Sequence, residues 1–156
     1  MAMTLANSLF LDTNVLLDAT VPARPWHAHA TELFRRLPPV TSLCVSGQIL
    51  REYLGVCTRP RANNGLGLSV EDTLKNVEAF LRVAVSLEET SAVNEKWRRL
   101  VAQYQVSGKQ VHDANIVATA VTHGVNHIVT SNLADFKRYE DVITLLNPEQ
   151  VDENFP

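Results

Sequence analysis

Four acids stand singly inside apolar stretches of this 156-residue chain. Asp12 follows Leu9-Phe10-Leu11 and precedes Thr13-Asn14, and Glu52 lies in Ile49-Leu50-Arg51-Glu52-Tyr53-Leu54. Asp113 lies in Val111-His112-Asp113-Ala114-Asn115, and Asp135 in Thr130-Ser131-Asn132-Leu133-Ala134-Asp135-Phe136. An unpaired carboxylate among apolar neighbours is costly. Each falls near a place where a strand should end or a helix run. Together they describe a pocket that concentrates negative charge, and the chemistry that calls for one is the holding of a divalent cation by carboxylate oxygens. Thr13 and Asn14 place a hydroxyl and an amide beside Asp12, a useful set for orienting water on such an ion.

Each acid also has a local reading. Asp12 and Asp113 suit the N-cap of the helix that follows, near its positive end, and His112 is either a neighbour of the site or a surface residue. Asp135 fits an Asx-type turn, with Asn132 able to share or replace its role. Glu52 gains little from capping in mid-helix; its local reading is an exposed residue paired with Arg51 or Arg59. What the local readings do not explain is their joint occurrence.

Other chemistries find less support. His27 and His29 point to different faces of a helix, which argues against zinc, and His123 and His127 read as surface residues flanking Gly124. Cys44 and Cys57 lack CxxC spacing and read as small core hydrophobes, which fits a reducing cytoplasm. The glycine-rich segment has no GKS/T ending, and neither GxSxG nor an activated Cys-His pair is present.

The elements that must position the acids alternate strand and helix. Ser8 to Asp12, Val40 to Val45, Val83 to Leu87, His127 to Ser131 and Val142 to Leu146 read as strands. Helices are expected through Val15-Leu16-Leu17, from Trp26 to Leu37 before Pro38-Pro39, from a Ser46 cap through Cys57, from a Ser69 cap to Leu81, from Glu89 to Val106, and from Asp113 to His123. Pro60 to Leu68 is the one obvious loop and the segment expected to be most flexible. Strands joined by helices of this length need crossover connections, hence a parallel sheet covered on both faces. Functional residues then gather at the carboxyl ends of the strands, where strand order reverses.

Bulk properties agree with one domain over residues 1–156. Hydrophobic residues are 46% and charged residues 20%, enough for a full core and too unbiased for wholesale disorder. The formal net charge of -3 argues against coating nucleic acid by bulk electrostatics. The basic pairs Arg35-Arg36, Arg59 with Arg61, Arg98-Arg99 and Lys137-Arg138 read first as solvated faces and only second as phosphate contacts. No export signal and no run of membrane-spanning length is expected.

At these acids the chain resembles PIN-domain proteins, and more narrowly the VapC-type ribonuclease toxins of prokaryotic toxin–antitoxin pairs. The likeness runs from Phe10-Leu11-Asp12-Thr13-Asn14-Val15-Leu16 to Thr130-Ser131-Asn132-Leu133-Ala134-Asp135-Phe136. Its most specific piece is His112-Asp113-Ala114-Asn115-Ile116-Val117-Ala118-Thr119-Ala120. The resemblance implies a three-layer α/β/α sandwich around a parallel sheet and Mg²⁺- or Mn²⁺-dependent hydrolysis of RNA. It makes Asp12, Glu52, Asp113 and Asp135 the catalytic, metal-binding acids, supported by Thr13, Asn14, Ser131 and Asn132. Many relatives carry an acid where this chain has Asn132, so the resemblance leaves the fourth ligand position to either Asp135 or Asn132, with Asn132 coordinating the ion or orienting the acid beside it. A small antitoxin, a homodimer and a cytoplasmic setting are implied as well, with Trp26, Phe34 and Tyr53 as candidates for the antitoxin groove or for the core.

One enzyme class, one signalling class and one silent PIN fold compete. A haloacid-dehalogenase-like phosphatase would want a second Asp two residues after Asp12, where this chain has Asn14. A receiver-type signalling domain would want paired N-terminal acids and a lysine after the last strand. A PIN fold that binds RNA or a partner without cutting differs from a nuclease by its response to Mg²⁺ in a cleavage assay.

Overall fold

The computed structural model describes residues 7–38 and 40–155. Residues 1–6, over which no export signal is expected, and Pro39 of the helix-ending proline pair lie outside the described residues. Strand β1, Leu9–Leu11, is entirely buried, as a short continuous apolar run requires when helices cover both faces. It pairs in parallel with β2, Leu43–Ser46, on one side and with β4, His127–Val129, on the other. Strand β3, Ala84–Leu87, flanks β2, and β5, Thr144–Leu146, flanks β4, giving the order β3-β2-β1-β4-β5. Strand order reverses between β1 and β4, so Asp12 leaves the sheet at the switch point.

Helix α1, Thr13–Thr20, packs on both α2, His27–Arg36, and α3, Gly47–Thr58, and α3 packs in turn on α4, Val70–Leu81. Helix α5, Ser91–Tyr104, packs mainly on α6, Gln110–Thr122. A one-turn helix, α7, Leu133–Phe136, and a C-terminal α8, Pro148–Asn154, complete the chain. This is the expected parallel α/β/α arrangement. The expected caps at Asp12 and Ser69 form, and Thr90 supplies a third on the next helix, each side chain accepting from the first turn of its helix. Ser46 occupies the N-cap of α3, but its hydroxyl finds no partner among the described residues. Glu89, just beyond the end of the neighbouring strand β3, takes that place by accepting the Gln48 backbone N–H at 3.1 Å.

Several boundaries differ from expectation. Helix α6 starts at Gln110, three residues before Asp113, because Gly108 takes a positive φ of 60° and Lys109 opens the helix with no side-chain cap. Asp113 therefore lies in the first turn rather than ahead of it. Val40 is 89% exposed and Val83 39%, and each lies outside its strand. Asp135 belongs to α7 rather than to a loop. His127 is not a surface residue. It is half-buried in β4, edge-on to Phe155 at 5.4 Å, with Nδ1 enclosed and burial lowering its pKa.

The segment Pro60 to Leu68 is pinned rather than loose. Its Leu66, Gly67 and Leu68 N–H groups donate to Val56, Arg59 and Cys57 carbonyls at 3.0, 2.9 and 2.8 Å. A Cβ at Gly65 would lie 1.9 Å from the Arg59 carbonyl oxygen. Gly65→Ala is accordingly expected to cost about 1–3 kcal/mol, the usual range for forced overpacking. Urea denaturation measures it, and an unchanged midpoint would contradict the contact.

Candidate active site

The acids gather at the carboxyl edge of the sheet. Asp12, 7% exposed, is held from four directions, since both its oxygens accept hydrogen bonds and its backbone is tied to β4. Oδ1 accepts the Thr13 N–H at 2.8 Å, and Oδ2 accepts Asn14 Nδ2 at 3.0 Å and the Thr130 hydroxyl at 2.8 Å. Its own N–H donates to the Val129 carbonyl at 3.0 Å, fixing the end of β1 against the end of β4.

Glu52 is brought in by two neighbours of that centre. The Thr13 hydroxyl donates to Oε2 at 2.7 Å, so one residue grips both Asp12 and Glu52. Gln48, one turn earlier on α3, donates through Nε2 to Glu52 Oε1 and to the His112 carbonyl, each at 2.9 Å. That second bond ties α3 to the first turn of α6, and with it to Asp113. Arg51 and Arg59 do not pair with Glu52. Arg51 reaches Glu89 at 3.5 Å, and Arg59 the Asn64 carbonyl at 3.4 Å.

Asp113 accepts no hydrogen bond among the described residues. Asp135, exposed, accepts from Asn132 Nδ2 at 2.6 Å, so Asn132 orients the acid beside it. Asn14 Oδ1 accepts the Ser131 N–H at 2.9 Å, which anchors the loop after β4 to α1. All eight expected residues thus fall in one region.

Electrostatics show the proximity directly. Burial, opposed by the Thr130 and Thr13 hydrogen bonds and reinforced by the charges of Asp113 and Glu52, pushes the Asp12 carboxyl up to about 7. Burial, then the charges of Asp135 and Glu52, push Asp113 up to about 6, with Arg138 pulling the other way. No Lys or Arg ion-pairs with Asp12, Glu52, Asp113 or Asp135 among the described residues. The cluster is hard oxygen chemistry with uncompensated charge, and that donor set fits a divalent cation. Among the described residues no three acid, histidine or cysteine side chains form a ready-made cage.

Four contributors were not visible in the sequence reading: Gln48, Thr130, Asp18 and Asn115. Gln48 precedes Glu52 by four residues and Asp18 follows Asn14 by four, the spacing that shares a helix face. That spacing was the available signal. Asp18 is 1% exposed, binds Arg24 Nε at 2.6 Å and accepts the Ser131 hydroxyl. Thr130 and Asn115 act over sequence separations that local pattern does not carry. The expected basic pairs divide. Arg35 and Arg99 pair with Glu32 and Glu95 on exposed faces, whereas Arg138 bears on Asp113.

Solved structures share this architecture. VapBC from Salmonella typhimurium, solved bound to DNA, matches with a TM-score of 0.69 at 23% identity over 90% of this chain and 98% of that one. VapBC2 from Rickettsia felis, bound to a promoter DNA fragment, gives 0.66 at 19% over 90% and 98%. VapC20 from Mycobacterium tuberculosis, described as a sarcin–ricin loop cleaving toxin, gives 0.59 at 16% over 77% and 86%. No curated protein matches the chain. The PIN domain family model matches residues 8–134, from β1 into α7 and so across Asp12, Glu52 and Asp113. With its sheet order, switch point and acid edge in place, the chain belongs to the PIN-domain family.

Proposed function

We propose that this chain is a metal-dependent endoribonuclease of VapC type, the toxin of a toxin–antitoxin pair. The observation that carries the reading is a set of carboxylates from four separate segments at the sheet's switch point, where burial first and then neighbouring acids raise Asp12 and Asp113, with no Lys or Arg ion-paired to any of the four among the described residues. A phosphodiester is anionic, and such an edge repels it unless a cation reverses the sign. The VapC20 match supports RNA as the substrate class.

Asp12, Glu52, Asp113 and Asp135 would hold the ion, Mg²⁺ or Mn²⁺. Asp12 and Glu52 are presented rigidly by Thr13, Asn14, Thr130 and Gln48. Asp113 has both oxygens uncommitted among the described residues, and Asn132 orients Asp135. Held by these acids, a divalent cation would supply positive charge against the scissile phosphate and would lower the pKa of water that could serve as the nucleophile. No side-chain nucleophile is then needed. Arg138, near enough to act on Asp113, offers a second positive charge to the phosphate.

The partner is a small antitoxin, in line with the VapBC matches, and the working unit is a homodimer. Tyr53 belongs to the core, its hydroxyl 2.7 Å from Thr20. Phe34 instead lines a cleft of about 360 Å³ with Phe80 and Val83, the candidate antitoxin seat. No helix among the described residues is long and apolar enough to cross a membrane. A cytoplasmic setting suits the two free thiols, Cys44 and Cys57.

Incubation of the purified chain with total RNA should give discrete cuts with Mg²⁺ or Mn²⁺ and none in EDTA. Equal cutting in EDTA, or none with either ion, would remove the proposal.

A further inference from the structure

Next to the acids lies a second cleft, of about 390 Å³, that the proposed hydrolysis does not use. Its floor is a closed ring of hydrogen bonds. Asn115 Nδ2 donates to Gln48 Oε1 at 2.7 Å and to Glu89 Oε1 at 2.8 Å, while Glu89 Oε2 accepts the Gln48 N–H at 3.1 Å. Trp97 lines the cleft with its indole N–H committed to the Val111 carbonyl at 2.8 Å, so its ring is what it offers a ligand. Arg51, Asn94 and His112 complete the lining. Apart from the 3.5 Å pairing of Arg51 with Glu89, their side chains make no polar contact among the described residues. Gly47 leaves room for that guanidinium, since a Cβ there would lie 2.9 Å from Arg51 Nη1.

An aromatic ring beside unengaged donors and acceptors suits a flat heterocycle with a hydrogen-bonding edge. A phosphate suits it poorly, because Glu89 stands in the cleft and Arg51 only balances it. The location narrows the choice. Gln48 lines this cleft and also holds Glu52, and His112 lines it and precedes Asp113. A phosphodiester at the acids therefore brings its adjoining base to this cleft, and single-stranded RNA is recognised by stacking unpaired bases on aromatic rings and reading their edges.

We infer that this cleft is a nucleobase subsite. It takes one unstacked base next to the phosphate that is cut, Trp97 stacking on it and Arg51 and Asn94 reading its edge. The inference rests on the ribonuclease reading of the neighbouring acids for its biological use, but base binding itself does not require cleavage. Uncharged ribonucleosides are the probe, because they avoid the repulsion of the metal-free acids. In the Trp26→Phe chain, Trp97 is the one remaining tryptophan.

Titration of that protein with each ribonucleoside, up to its solubility, should change Trp97 fluorescence saturably for at least one base. Adding Arg51→Ala should weaken that binding about tenfold, the size of one lost edge contact. Mapped RNA ends should show a base preference beside the cut that Arg51→Ala flattens by a similar factor. No response to any nucleoside, or a cut pattern unchanged by Arg51→Ala, overturns the subsite. Saturable base binding by a chain that cuts no RNA upholds the base site and rejects the nuclease. A change of oligomeric state in Arg51→Ala by light scattering, with cut ends unaltered, would assign the cleft to a contact between two copies and overturn it too.

Discussion

Metal-free Asp113→Asn protein is expected to melt at a higher temperature than the metal-free parent chain at pH 8, and the same variant assayed with Mg²⁺ or Mn²⁺ to lose RNA cleavage by at least about 10²–10³-fold. The sign follows from linkage. The Asp113 carboxyl is raised from 3.8 to about 6 in the fold, so the folded state holds its proton more tightly than the unfolded one. Between about pH 4 and 6 the unfolded chain ionises first, stability falls as pH rises, and the full penalty remains above that window. A rise of this size corresponds to about 3 kcal/mol. Because the group is only half-buried, screening by solvent brings the expected gain to on the order of 1–2 kcal/mol.

Asp113 is a cleaner place to remove a charge than Asp12. Asp113 accepts no hydrogen bond among the described residues, whereas Asp12 accepts three, from Thr13, Asn14 and Thr130. An amide at position 12 would set one N–H against those donors and offset the relief of repulsion. Asp12→Asn is therefore expected to abolish cleavage with little net change in melting temperature. Thermal unfolding of the Asp113→Asn and parent chains at pH 4 and pH 8, with EDTA and with Mn²⁺, separates the contributions. The variant's advantage should vanish at pH 4, and Mn²⁺ should stabilise the parent alone. An equal Mn²⁺ response in both, or no advantage at pH 8, would remove Asp113 from the metal set.

The legibility of this site followed the range of the contacts. Asp12 could be placed from Leu9-Phe10-Leu11 because a fully buried strand has one outcome and the acid after it one position. Glu52 could be placed on a helix but not given its partners, since Thr13 is 39 residues away in sequence. The start of α6 is not legible in the sequence for a physical reason. Asp113 looks like a cap, while the true start at Lys109 has no capping side chain and relies on the turn at Gly108. Pro60 to Leu68 has the composition of a mobile loop, yet its backbone bonds to the last turn of α3 hold it. Composition reports the unfolded preference of such a segment and says nothing of the carbonyls waiting for it. The Gln48–Asn115–Glu89 ring depends on α3, α6 and the end of β3 meeting, and only the assembled sheet brings them together.

The largest stability effect is expected away from the acids themselves, at Arg24. Asp18 is 1% exposed, and its partners are Arg24 Nε at 2.6 Å and the Ser131 hydroxyl. Removing the only basic partner that Asp18 has among the described residues leaves a carboxylate enclosed without a countercharge, which costs more than the pair contributed. Arg24 keeps part of its side chain in water, so Arg24→Ala is expected to lose about 2–4 kcal/mol rather than the full cost of breaking a buried pair. Neutralising the stranded acid should restore most of it, because Asn at position 18 can still bond Ser131. Arg24→Ala/Asp18→Asn is thus expected to be more stable than Arg24→Ala alone, the opposite of what additive damage gives. The consequence reaches the active edge through a continuous chain of hydrogen bonds: Asp18 holds Ser131, Ser131 N–H holds Asn14 Oδ1, and Asn14 Nδ2 holds Asp12. Urea unfolding of the two variants, with Mn²⁺ affinity by calorimetry beside it, reads both ends of that chain. A double variant no more stable than the single one would show that Asp18 is not carrying an uncompensated charge, and unaltered Mn²⁺ affinity in Arg24→Ala would cut the link to Asp12.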